Sequence, residues 1–129
     1  MNNQCLGEKF FHMAHTILEN KCELELSEVN IRKIKDLKIN TKKSLIKSTA
    51  EVETIAVDIM AKICEDSADI SQIHKLLDKK FAIKKESVKE LVSAYLNLKK
   101  LLTKDQLCKL HGFCKAHAHT EEKEKSCRR

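Results

Sequence analysis

Near the C-terminal end of the chain, Cys108, His111, Cys114, His117 and His119 place five soft or borderline metal ligands within twelve residues, with Cys127 further out. The pattern Cys-x2-His-x2-Cys-x2-His suits tetrahedral zinc or Cu(I), provided that the backbone turns. On an unbroken helix, steps of three sweep around the axis and the four side chains do not converge. Gly112 is the place where a break is expected. The same residues also suit disulfide formation or a plain surface role. The haem-attachment motif is excluded, because it needs His directly after the second Cys.

A second group lies near the start, where Glu8, His12, His15 and Glu19 stand at i, i+4, i+7 and i+11. Two imidazoles one turn apart on one helical face can share a transition metal, with a carboxylate as further ligand or as a support behind it. The alternative is a solvated polar face carrying two ordinary histidines. Thiolate with imidazole favours zinc or copper over magnesium or calcium. His74 stands alone, and Met1, Met13 and Met60 form no copper-type cluster. Nothing in the sequence sets a nucleophile beside a base and an orienting partner, so catalysis is not expected.

The elements that must position these residues are helices. The 129 residues include two glycines and no proline, too few turn formers for hairpins or for the glycine loops of nucleotide-binding folds. No run of about 18 apolar residues is present to span a bilayer. The net charge of +6 arises from 25 Lys+Arg mixed with 19 Asp+Glu. Lysines recur along the chain without aromatics between them to stack bases, which argues against nucleic acid. They suit solubility, or a basic surface that draws in acidic, partly unfolded protein before apolar contacts form.

Hydrophobic periodicity predicts an all-α chain of four helices, two long and antiparallel, flanked by two short ones. The first is expected over about 8–21. The second starts at Ser27 and runs to about 66, with a seam of Ile34, Leu37, Thr41, Leu45, Ser48, Val52, Ile55, Ile59 and Ile63. The third starts at Asp69, with Gln72 at capping-box spacing, and its seam includes Ile73, Leu77, Phe81, Val88, Leu91, Tyr95, Leu98 and Leu102. In the fourth, Thr103 caps and Gln106 reaches back, while Leu102 staples to Leu107. A single domain is expected over 1–120, followed by a charged mobile tail over 121–129. Long helices in so short a chain leave apolar surface for a second subunit, so an elongated homodimer is expected.

Leu102-Thr103-Lys104-Asp105-Gln106, and the weaker copy Leu26-Ser27-Glu28-Val29-Asn30, bracket the long helical pair. With that spacing the chain resembles the Spy/CpxP family, known by its LTxxQ repeat, over about residues 10–110. The resemblance implies a periplasmic location, with the export signal absent from the chain as it stands. It further implies either heavy-metal binding or sensing as a stress response, or ATP-independent chaperoning of unfolded clients on a concave helical face. A regulatory partnership with a membrane sensor protein shares the same fold. Metal-sensing members also use first-helix histidines, at a spacing one residue longer. Their third-helix His and Met ligands are absent here, where the sequence reads Ala94-Tyr95-Leu96-Asn97-Leu98.

The expected topology brings Cys22 and Cys108 to one end, where a disulfide between them is conceivable, and sends Cys64 to the opposite tip. In an antiparallel dimer Cys64 approaches the other subunit's terminal cluster.

Overall fold

A computed structural model describes residues 3–113, with side chains from Cys5 onward. Within this range the chain is all helical: α1 (Asn3–Glu19), α2 (Glu28–Ile63), α3 (Ile70–Lys100) and a fourth helix, α4, over 104–113. Helix α1 begins five residues before the expected start and runs straight through Gly7. Gly7 is buried, and a Cβ there would lie 4.0 Å from Leu45 Cδ1, so the glycine sits where α1 meets α2.

The turn after α1 is a Schellman motif. Leu26 N–H donates to Lys21 O and Glu25 N–H to Cys22 O, with Glu25 at φ 54°, the left-handed conformation that glycine usually supplies. This turn drives Leu24 into the interior, where its side chain is fully buried.

Ser27 then caps α2, its Oγ accepting from Asn30 N–H at 3.2 Å. Asp69 caps α3 through Ser71 N–H at 2.9 Å, in place of the expected box with Gln72. An aspartate side chain is short enough to satisfy the second N–H of the helix by itself. The box at α4 forms as expected: Gln106 N–H donates to Thr103 Oγ1, and Thr103 N–H donates to Gln106 Oε1.

The core is concentrated at the end where all four helices meet. Phe10, Ala14 and Ile17 of α1, Leu24 of the turn, Ile34 of α2, Ala94 and Leu98 of α3, then Leu102 and Leu110 form one buried cluster. Full burial of a side chain such as Phe10, Ile17 or Leu98 contributes about 1.5–3 kcal/mol, so this base carries most of the stability. Two long-range bonds close it. Gln106 Nε2 donates to Leu24 O at 2.8 Å, and Asn30 Nδ2 donates to Leu101 O at 3.2 Å. Each LTxxQ-like segment thus holds the backbone beside the other, and Asn30, which ends the weaker copy, bridges 71 residues.

Away from the base, α2 and α3 pair alone. Ile55, Ile59, Ser87 and Leu91 are buried in their seam, and Ser44 Oγ donates to Glu90 Oε2 at 2.6 Å across it. Buried Ser87 and Ala94, absent from the expected seam, are small enough to let the two backbones approach. Phe81 and Ile63, expected inside, are 57% and 51% exposed. They lie toward the hairpin tip, where no third helix among the described residues covers the pair. No helix among the described residues is long and apolar enough to cross a membrane.

Candidate functional site

Among the described residues, an open groove of about 1570 Å³ lies beside α1, along α2 and reaching α3. Its apolar floor comes from Phe11 and Leu18 of α1 and Ile39, Leu45, Ile46 and Val52 of α2. Lys35, Lys38, Lys42, Lys43 and Lys84 rim it against two carboxylates, Glu8 and Glu53. From Lys35 to Glu53 the α2 wall runs about 27 Å at 1.5 Å per residue.

Each wall follows from local sequence. The deeper face of α1 buries Phe10, Ala14 and Ile17, which turns Phe11 and Leu18 sideways, half-buried, into the groove. Phe10 and Phe11 meet edge to face with centroids 5.0 Å apart, and Lys42 Nζ lies 5.3 Å from the Phe11 centroid. This cation–π contact spreads an apolar aliphatic stem beside the ring and keeps the charge at the lip.

Helix α2 is apolar on two sides. Ile34, Thr41, Ile55 and Ile59 face α3, whereas Ile39 and Ile46 are exposed at 52% and 60%. Seven residues separate Ile39 from Ile46, two full turns, so they share one face. That spacing, beside the lysines of 35–43, was the signal in the sequence; reading a single seam per helix passes over it.

The expected metal ligands are distributed differently. His12 and His15 are exposed on α1, and His15 Nε2 lies 2.9 Å from Glu19 Oε1, one turn on. Thr16 Oγ1 donates to the backbone carbonyl of His12 at 2.8 Å. Cys108 and His111 are exposed on α4. The expected break at Gly112 does not occur within the described residues, since α4 remains helical through 113. Leu110 is buried, and half-buried Phe113, one turn later, packs on the same core, which holds the helix in register. Cys114, His117 and His119 lie outside the described residues, as do Cys127 and the expected tail.

Among the described residues, no three His, Cys, Asp or Glu side chains gather so as to hold a metal ion. Cys5, Cys22, Cys64 and Cys108 are free, exposed thiols, with Cys64 capping α2 at the tip. No known protein family, curated protein or solved structure matches this chain.

Proposed function

We propose that the chain is a non-enzymatic polypeptide-binding protein that captures acidic, partly unfolded chains in the α1–α2 groove without nucleotide. The observation that carries this reading is an apolar floor along about 27 Å of α2, edged by α2 lysines over about its first 12 Å and by Lys84 of α3. An amphiphile with one anionic head needs cations at one end only. Here Lys35, Lys38, Lys42 and Lys43 recur at nearly every turn, and Lys84 approaches from α3. That arrangement matches a polymer bearing many carboxylates and intermittent apolar side chains. The lysines draw the client in over about a Debye length, and the floor then buries its apolar groups. The chaperone branch implied by the LTxxQ resemblance supports the same reading.

The test is suppression of aggregation of an acidic client by stoichiometric protein in the presence of a chelator. Protection should weaken as salt rises from 50 to 500 mM and should fall severalfold in Lys42→Glu/Lys43→Glu. Protection that is unchanged by both perturbations contradicts the proposal.

A second reading, periplasmic metal binding or sensing, draws on Cys108 and His111, exposed one turn apart on α4 and leading into Cys114, His117 and His119. His12 and His15 supply its other candidate ligands. Calorimetric titration of the reduced protein with Zn²⁺ and Cu⁺ tests it, and absence of binding tighter than about 10 μM rejects it.

A further inference from the structure

Helix α1 covers only the base half of the hairpin. Its Gly7 lies against Leu45, and Asn3, where the description of α1 begins, stands about 6 Å further on at 1.5 Å per residue. Helix α2 continues from Leu45 to Ile63, about 27 Å, so the crease between α2 and α3 has no third helix over about 20 Å among the described residues. The groove opens into this crease: past Gly7 and Glu8 it is lined by Val52 and Glu53 of α2 and by Lys84 and Ser87 of α3.

The crease continues the face that α1 covers at the base. Tyr95, Val88 and Phe81 recur every seven residues, two turns apart on one side of α3. Tyr95 packs on the base cluster with Phe10 and Ile17 of α1, Val88 is half-buried, and Phe81 is mostly exposed. On α2, Val52, Ala56, Met60 and Ile63 follow in steps of three and four, the first two half-buried and the last two exposed. Leu77, Phe81, Lys84 and Val88 take the same steps on α3. Two adjacent rows with this period form the seat of a third helix in a bundle.

The crease is also basic. Lys80 and Lys84 hold their Nζ atoms 5.9 and 5.7 Å from the Phe81 centroid, and Lys85 is exposed beside them. Against these stand Glu53 and, about 60° around α3 from Phe81, Asp78. Glu51 and Asp58 lie roughly 140–160° around α2 from Ala56 and face away. In the tip turn Glu65 pairs with Lys62, Asp69 caps α3, and Asp66 is exposed.

We infer that the crease receives an amphipathic helix of the client, its apolar face edged with carboxylates, in the place that α1 fills at the base. This rests on the groove being a binding site for acidic polypeptide, and it specifies the form in which the client is held. The seat is built of helix side chains and offers no sheet edge, so an extended segment would press unpaired backbone N–H and C=O groups onto an apolar floor. A helix satisfies those groups internally. About four turns fill the crease, a length that is marginal as a helix in water, so the segment folds as it binds.

The test uses the full chain and a fluorescein-labelled peptide of about 18 residues, made of Leu, Ala, Glu and Gln with leucines at i, i+3, i+4 and i+7. Three controls accompany it: the same composition with leucines spread around the helix, a copy with a central proline, and a copy with Lys for Glu. The first peptide should bind at least tenfold more tightly than each control, and its ¹³C-labelled carbonyls should move to the helical amide I band on binding. Phe81→Glu/Met60→Glu, at two exposed positions, should weaken binding at least tenfold with unchanged circular dichroism. Equal binding of the peptides, no helical band, or a variant that binds like wild type each overturns the inference. So does a wild-type dimer in sedimentation that the double variant dissociates and excess peptide does not, because a second copy then fills the crease.

Fluorescent, carboxymethylated α-lactalbumin, an unfolded acidic chain, separates this inference from the reading beneath it. Capture of that client with no preference among the peptides overturns the helical seat and leaves the groove reading in place. Failure to bind the client or any peptide overturns both.

Discussion

Gln106 tests how the two LTxxQ-like segments hold the base together. Its side chain makes two bonds, accepting from Thr103 N–H at 2.9 Å and donating to Leu24 O at 2.8 Å. The second lies in a partly buried setting and joins residues 82 apart in sequence. Gln106→Ala removes both. At about 0.5–1.5 kcal/mol for each bond, the loss should be about 1–3 kcal/mol, toward the upper end because Leu24 O is left without this partner beside a buried side chain. Gln106→Glu separates the terms. A carboxylate can still accept from Thr103 N–H but cannot donate to Leu24 O, so two acceptors face each other, and the loss should equal or exceed that of Ala. Thr103→Ala, which removes the cap alone, should cost about 1 kcal/mol. The assay is urea unfolding followed by circular dichroism at 222 nm, with a shift of midpoint at constant m. If Gln106→Ala and Gln106→Glu both remain within about 0.5 kcal/mol of wild type, the bond to Leu24 does not support the base and the reasoning is refuted.

Glu25→Gly should raise stability by about 0.5–1 kcal/mol in the same assay, because relief of the Cβ clash at the left-handed turn residue outweighs the freedom that the unfolded chain gains. Gly7→Ala should also stabilise, by up to about 1 kcal/mol, since the added Cβ meets Leu45 at ordinary contact distance within a continuous helix. Ile17→Ala, at a fully buried position in the base cluster, should cost about 2–5 kcal/mol. Phe81→Ser, by contrast, should change the urea midpoint by no more than about 0.5 kcal/mol, as its ring is mostly exposed with Lys80 and Lys84 beside it.

The helical plan was legible in the sequence because periodicity and capping agree. Thr103 and Gln106 form the box that their spacing announces, and Ser27 caps where the apolar run begins. The α2 seam appears much as its alternating steps imply, with Ile34, Thr41, Ile55 and Ile59 buried. Three things were hidden. Burial toward the tip depends on whether a third helix covers the pair, so Phe81 and Ile63 fit the seam by period and are nevertheless exposed. Asn30 and Gln106 each reach a carbonyl brought close only by the fold, and local spacing cannot reveal such a partner. The groove needs α1 to lie alongside α2, so Ile39 and Ile46 read as stray surface apolars until Phe11 and Leu18 stand next to them.

The central claim, that the lysine-rimmed groove captures acidic unfolded chains, is most directly tested by site-specific photo-crosslinking. A photoreactive phenylalanine analogue replaces Ile46, inside the groove, or Val29, which is 63% exposed at the other end of α2 and does not line it. The two positions are comparably exposed and apolar, so general stickiness labels both. With carboxymethylated α-lactalbumin at low salt and in chelator, the account predicts strong crosslinking from position 46, little from 29, and loss of the 46 signal in Lys42→Glu/Lys43→Glu. Equal crosslinking from 29 and 46, or a signal at 46 that survives the charge reversal, contradicts it.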